Sequence, residues 1–255
     1  MRSNRLSALG VVLALMVSVL APTSQPVHAD TDIRPIAHEF YMTRGIFSSP
    51  TDGDDWGPRW SMDFPEAETH FLVALSRLTR VDAYPYDNAI GLDDLELWNF
   101  PFLYLVEVGA MDLNDDERAS LRDYLLAGGF MVIDDFWGTW AWDGLRAEMA
   151  RMFPDRPIVD VPLTHPIFHA MHDITELLQV PNVALAGTDR THEYDGVTPY
   201  VRGIFDDDGR LMVLINWNTD LGDAWEWADQ ANYPLKYSNY AYRLGVNFVL
   251  YSMMH

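Results

Sequence analysis

The stretch A-G-G-F-M-V-I-D-D-F-W-G-T, residues 127–139, decides the fold. Gly128-Gly129 is a helix stop, because glycine enters the left-handed conformation of a helix C-terminus without a Cβ clash. The four residues Phe130 to Ile133 that follow are apolar without alternation. Such a run predicts a strand covered on both faces, as in a parallel sheet. It leads directly into two adjacent carboxylates, Asp134 and Asp135, and an aromatic loop. Open parallel sheets bind ligands outside the carboxyl ends of their strands, so the acid pair stands where chemistry or binding is expected.

Outward from this strand, helical and extended patterns alternate. Upstream, Phe100 to Val108 is a second near-continuous apolar run, ending at Glu107 and Gly109. Between the two runs, Asn114-Asp115-Asp116-Glu117 has the pattern of a capping box. Leu121, Tyr124 and Leu125 would line the buried face of the helix it opens. Further upstream, His38 to Phe47 reads as the first strand, with Arg44-Gly45 near its exit, and Ser48 to Trp60 as a long loop. Pro65-Glu66 opens a helix whose buried face carries Ala67, Phe71, Leu75 and Leu78. The segment 81–94 is polar and contains proline, with a short strand expected near Val81–Ala83.

Downstream, Asp143 is expected to cap a helix with Leu145, Met149 and Met152 inside. Pro154 and Pro157 stop it, and Ile158 to Val161 reads as a strand. Val201 to Phe205 and Leu211 to Asn216 flank Asp206-Asp207-Asp208-Gly209 as a β-hairpin. Residues 217–233 read as a tryptophan-rich loop. A last helix from about Asn239 would bury Ala241, Leu244, Phe248 and Tyr251. Strands alternating with helices predict a three-layer α/β sandwich with a mainly parallel sheet and an added C-terminal β-hairpin.

Charge and composition exclude several function classes. The chain has 255 residues, 38 acidic against 17 basic, for a net charge of −21. Such a surface repels nucleic acid and anionic lipid. Lys236 is the only lysine, and cysteine is absent. Disulfides, thiolate metal sites and thiol nucleophiles are therefore excluded. The amino terminus joins Arg2 and Arg5 to an apolar run, Leu6 to Leu20, and a small-x-small tripeptide, Val27-His28-Ala29. This predicts a signal peptide over residues 1–29, removed on export to the periplasm or outside. Residues 30–255 then form a single domain with no transmembrane anchor. No H-E-x-x-H, G-x-S-x-G, phosphate loop or dinucleotide fingerprint occurs, so no cofactor is expected.

Three stretches carry a family resemblance: L-R-D-Y-L-L-A-G-G-F-M-V-I-D-D (121–135), T-H-P-I-F (164–168) and Y-R-L-G-V-N-F-V-L-Y (242–251). Together they resemble the bacterial domain of unknown function 4159, over nearly the whole chain after residue 29. The resemblance implies a flavodoxin-like α/β sandwich similar to the class I glutamine amidotransferase-like fold. It implies no assigned activity. Amidotransferases use a cysteine nucleophile, and this chain has none, so that chemistry does not carry over.

Candidate site residues follow from position and type. Asp134 and Asp135 are candidate catalytic acids or bases, each against the plainer role of bonding loop amides. Glu107, at the end of a neighbouring strand, could converge with them, and Arg44 could neutralise the group. His165, His169 and His172 share helical spacing, but Pro166 pushes His165 out of helical geometry, which leaves its imidazole free to face a cleft. Asn216-Trp217-Asn218-Thr219-Asp220 with Trp225 and Trp227 joins amides, an acid and flat aromatic faces, suited to a sugar ring or a protein surface. Asn216, Asp220 and Trp225 are its candidate ligand-binding residues, beside Glu107 and Arg44. No metal ion is assigned to any of them. Two readings follow: a non-catalytic module binding a small molecule, glycan or envelope protein, and a hydrolase, metal-assisted or not, using Asp134 or Asp135 as base or ligand with His165.

Overall fold

The computed structural model describes residues 38–53 and 57–255, so the expected signal peptide lies outside the described residues. The strand read first from the sequence is β4, Phe130–Asp134, and all five of its residues are buried. It is buried because it has neighbours on both edges and helices on both faces. On one edge lies β3, Phe102–Val106, paired in parallel from Phe102↔Phe130 to Val106↔Asp134. On the other lies β7, Leu211–Trp217, paired in parallel from Met131↔Val213 to Ile133↔Ile215.

The seven strands run in the order β2-β1-β3-β4-β7-β6-β5. Here β1 is Thr43–Ile46, β2 Asn88–Gly91, β5 Val159–Asp160 and β6 Tyr200–Phe205. The pairings from β2 through to β7 are parallel. The last two, β7 with β6 and β6 with β5, are antiparallel. The predicted hairpin is therefore not an appendage. Its second strand takes the place beside β4, and its first strand begins the antiparallel edge.

Successive strand residues face opposite sides, and the sheet divides its core accordingly. Phe102, Tyr104, Val106, Phe130, Val132 and Leu214 pack against α1 (Glu66–Leu78), α4 (Leu221–Glu226) and α5 (Leu235–Met254). Leu103, Leu105, Met131, Ile133, Val213 and Ile215 pack against α2 (Asp115–Leu126) and α3 (Gly138–Met152). Each buried Leu, Ile, Val or Phe contributes about 1.5–3 kcal/mol. Among the described residues, no helix is long and apolar enough to cross a membrane.

Local signals held where the chain itself satisfies its backbone. The capping box opens α2: Asn114 Oδ1 accepts from the Asp116 and Glu117 amides, and Glu117 Oε2 accepts from the Asn114 amide. Five expectations are corrected. The first strand is shorter than His38 to Phe47, because Phe40 makes a single bridge with Ala83 and the regular ladder starts at Thr43. Edge strand β2 lay unread inside the segment 81–94; one residue in four is buried there, Ile90, so it carries no apolar pattern.

Helix α3 starts at Gly138, not at Asp143, which lies inside it and pairs with Arg146 at 3.1 Å. Its first amides are satisfied from distant chain: Gly138 N donates to Asn218 Oδ1 (2.9 Å) and Thr139 N to Asp195 Oδ1 (2.8 Å). The tryptophan-rich loop contains α4, capped by Asp220, whose side chain accepts from the Asp223 amide at 2.7 Å. The final helix begins at Leu235, just after Pro234, rather than near Asn239.

Candidate functional site

The chain leaves β3, β4 and β7 at one edge of the sheet through a short run of interlocked turns. Glu107 N donates to Asp135 O (3.0 Å), Asp135 N to Thr219 O (3.2 Å), and Asn218 N to Phe136 O (3.1 Å). The loop of residues 179–198 closes over them. Gln179 Nε2 donates to Gly196 O (2.9 Å) and Asn218 O (3.1 Å), and Asn218 Nδ2 donates to Thr198 O (2.7 Å). Asp195 ties the same loop to the start of α3 by accepting from the Thr139 amide and hydroxyl. Those two bonds hold the Asp195 carboxyl below its ordinary value.

Backbone strain gathers here. Among the described residues, the non-glycine residues with left-handed φ are Asp63 (61°), Glu107 (53°), Asp135 (46°), Tyr194 (44°) and Asn218 (63°). Glu107, Asp135 and Asn218 directly follow β3, β4 and β7. Each such conformation costs about 1–3 kcal/mol and persists only where surrounding structure enforces it. Clusters of this kind mark sites where side-chain direction matters more than stability.

A cleft of about 430 Å³ opens at this edge. Glu107, Trp137 and Ala141 form its floor side, and Thr51, Arg59, Trp140, Glu193, Tyr194 and Asp195 complete its wall. Trp140 is 70% exposed and Tyr194 77% exposed, so two large flat rings face solvent at its mouth. Trp137 is buried, and its Nε1 donates to Asp135 Oδ1 at 2.9 Å. Burial raises the Glu193 carboxyl, against a hydrogen bond from Asn182 that lowers it. A larger open depression of about 650 Å³, lined by Arg77, Thr79, Arg80 and Met171, lacks any such convergence of buried polar groups.

A group of buried acids lies at the same edge of the sheet, outside the cleft lining. Asp134 is wholly buried; its Oδ2 accepts from Tyr104 Oη (2.7 Å) and Leu221 N (2.8 Å). Burial pushes its carboxyl up to about 6, and the Tyr104 hydrogen bond opposes the rise. Asp135 is raised well above the ordinary range by burial first, then by the charges of Glu107, Asp63 and Asp134. Asp220 is raised by burial and by Asp135 and Asp223, and Asp63 by burial and by Asp223. Arg44 lowers Asp63, but its guanidinium is already engaged: Nε and Nη2 both contact Glu68 Oε1, at 2.7 and 2.6 Å.

The residues singled out from the sequence divide accordingly. Glu107 lines the cleft, Asp135 is joined to it through Trp137, and Asp134 and Asp220 are buried at the same edge of the sheet outside its lining. Asn216 follows Ile215 in β7, buried beside Asp134. Arg44 is buried against Glu68 on the α1 side. Trp225 is 1% exposed and stacks in the core between Phe71 and Tyr104, with ring centroids 4.7 and 5.4 Å away. It reaches no cleft, because the segment expected to be a loop is a helix that turns it inward.

His165 stands apart. Its ring packs against Phe205 and Tyr251, and Tyr251 in turn packs on Phe130, the first residue of β4. It therefore belongs to the amino edge of the sheet, a strand length from Asp134, about 13 Å at the rise of a parallel strand. The structure does not bring it to the aspartates. Residues missed from the sequence are Asp63, Arg59, Glu193, Tyr194, Asp195 and Asp223. Asp220-x-x-Asp223 did carry a signal, an N-cap followed by an acid three residues on. The others come from irregular segments with no periodic pattern.

A comparison with curated proteins finds no match. The family model described as Domain of unknown function (DUF4159) matches residues 50–253, which takes in every described strand after β1, helices α1 to α4, all but the last residue of α5, the cleft and the buried acids at its edge of the sheet. On that match the chain belongs to the DUF4159 family.

Proposed function

We propose that the protein is an exported, non-catalytic binding module whose cleft at the carboxyl edge of the sheet takes a carbohydrate. One observation carries the reading: two solvent-facing rings, Trp140 and Tyr194, stand at the mouth of a cleft of about 430 Å³ whose wall includes Glu107, Glu193 and Asp195. Flat aromatic faces stack on the C–H face of a sugar, and carboxylates accept from its hydroxyls. The five parallel strands, in the order β2-β1-β3-β4-β7, follow the 2-1-3-4-5 pattern of flavodoxin-like sheets,. That supports a flavodoxin-like, amidotransferase-like scaffold, with the ligand at its usual edge and no cysteine to make it an amidotransferase. Export rests on residues 1–29 and is tested by N-terminal sequencing of the protein recovered from the envelope or medium.

The test is calorimetric binding of glycan fragments to the purified protein, guided by an array. Trp140→Ala and Tyr194→Ala should each weaken a bound glycan about tenfold, about 1.4 kcal/mol. Both side chains are largely exposed, so the urea midpoint should stay where it was. A protein that binds no glycan, or that binds one equally well without both rings, would rule the reading out.

A further inference from the structure

Three aspartates on two separate elements meet on the α1 side of the sheet. Asp63 precedes α1, and Asp220 and Asp223 belong to the start of α4. One carboxylate oxygen from each lies within 4.8 Å of the other two. We propose that Asp63, Asp220 and Asp223 hold one hard divalent cation of the size of Ca²⁺. Oxygens bound to one Ca²⁺ at about 2.4 Å cannot stand more than about 4.8 Å apart, so the spacing fits a shared ion. The donor set is oxygen only, with no sulfur and no imidazole, which selects against zinc and copper.

A second observation points the same way. Asp63 Oδ2 is shut off from solvent and has no hydrogen-bond donor. It aims at the backbone of Gly222, where a Cβ would lie 2.3 Å from it and 3.5 Å from Asp220 Oδ1. A Cβ there would collide with Asp63 Oδ2, so the position beside it requires a residue with no side chain. Asp134 stands behind the same turn, wholly buried, with its Oδ1 also unpartnered and its Oδ2 on the Leu221 amide. An acceptor buried without a donor is unfavourable, and more so when charged. The nearest cation, Arg44, contacts Glu68 and the carbonyls of Trp60 and Met62 instead.

The other oxygens of the set are held for this geometry. Asp223 Oδ2 accepts from Val183 N, its Oδ1 from Trp227 Nε1 at 3.0 Å, and Asp220 Oδ1 from Asp223 N at 2.7 Å. Asp63 as a residue keeps partial exposure. The site lies outside the cleft lining, so it neither needs nor supports glycan binding.

The experiment uses the purified full chain, stripped with EDTA and titrated with CaCl₂ by calorimetry and with Tb³⁺ by luminescence. Trp227, bonded to Asp223, is placed to sensitise the Tb³⁺ emission. One equivalent should bind in both titrations, and Asp63→Asn should weaken it at least tenfold while leaving the circular dichroism spectrum unchanged and the urea midpoint of the EDTA-stripped protein no lower. Asp63→Asn is the decisive variant because Asp223→Asn would also break structural hydrogen bonds. No binding up to about 10 mM Ca²⁺, beyond the weakest extracellular Ca²⁺ sites at about 1 mM, would overturn the proposal. Binding that survives Asp63→Asn at full affinity would overturn it equally, by placing the ion elsewhere on the acidic surface.

Discussion

Arg44 and Glu68 show how one residue's role depends on the partner that the fold brings to it. Both side chains are fully buried, and one carboxylate oxygen takes both Nε and Nη2 of the guanidinium. The guanidinium also lies over the Tyr104 ring, 4.9 Å from its centroid, and donates from Nη1 to the carbonyls of Trp60 and Met62. It thus pins the turn before α1 to the sheet, and with it Asp63. A buried pair is weak evidence of net stability, yet losing one partner strands the other's charge. Glu68→Gln should destabilise the protein by about 3–5 kcal/mol in urea unfolding. The double change Arg44→Met with Glu68→Leu should recover more than half of that loss. If the double variant were as unstable as the single one, packing rather than charge would be holding this turn. The same residue marks a limit of the sequence: Arg44 is legible as a cation near the exit of the first strand, yet it is the second residue of β1, and its partner on α1, 24 positions away, has no pattern to announce it.

At the scale of elements, legibility follows from where each element finds its hydrogen bonds. Helix α2 was readable to within a residue because Asn114 and Glu117 cap it locally. Strands β3 and β4 were readable because burial on both faces demands an unbroken apolar run. Helix α3 was misplaced because its first amides are satisfied by Asn218 and Asp195, 80 and 56 positions downstream. The edge of the sheet that carries the site was legible through β4, and Glu107 through β3. The wall residues Glu193, Tyr194 and Asp195 were not, since they come from a loop held by side-chain bonds to distant turns.

The segment after His165 makes the same point about surroundings, and it predicts opposite titrations for two neighbouring histidines. His165 caps the 3₁₀ turn Pro166–Phe168, with Nδ1 accepting from Ile167 N at 3.3 Å. An accepting nitrogen requires the neutral ring, and burial lowers its pKa below the ordinary 6.5. His169 has Nδ1 at 2.9 Å from Asp173 Oδ1 and Nε2 at 2.7 Å from Leu163 O. Two acceptors suit the doubly protonated ring, and the Asp173 hydrogen bond raises its pKa. In a proton NMR titration of the ring C–H signals, His165 should therefore titrate below 6.5 and His169 above it. Linkage then sets the signs. The favourable contribution of His165 is present above pH 6.5 and is lost as pH falls through its lowered value. That of His169 is complete below pH 6.5 and is lost as pH rises through its raised value. Asp173→Asn should bring His169 back towards 6.5 and leave His165 in place; movement of both together would contradict this assignment.

For the whole molecule, charge is the property that the fold does least to compensate. Thirty-eight acidic residues face seventeen basic ones, and several acids lie buried together at the carboxyl edge of the sheet. Arginines do pair at the surface, as Arg156 with Asp207 at 2.9 Å and Arg202 with Asp160 at 2.9 Å. Exposed pairs of this kind contribute about 0–1 kcal/mol each, too little to offset a net charge of −21,. Like charges crowd together on folding, so self-repulsion works against the compact state. Screening relieves it: between about 0.01 M and about 1 M salt the Debye length falls from about 30 Å to about 3 Å. Urea unfolding in EDTA should therefore show a midpoint that rises steadily as NaCl is added, with most of the rise below about 0.15 M, where the Debye length is already about 8 Å. EDTA matters to the interpretation, because it removes any divalent cation at Asp63, Asp220 and Asp223 and leaves screening alone. KCl should match NaCl at equal ionic strength, since no site distinguishes the two in a screening mechanism. A midpoint that falls with salt would mean that attractive pairs outweigh repulsion, in spite of the imbalance of more than two acids to each base. Ca²⁺ added at fixed ionic strength should then give a further rise that saturates. Screening accounts for the gradual part of the salt response and a bound ion for the saturable part, so one titration series separates a property of the whole surface from a property of three aspartates.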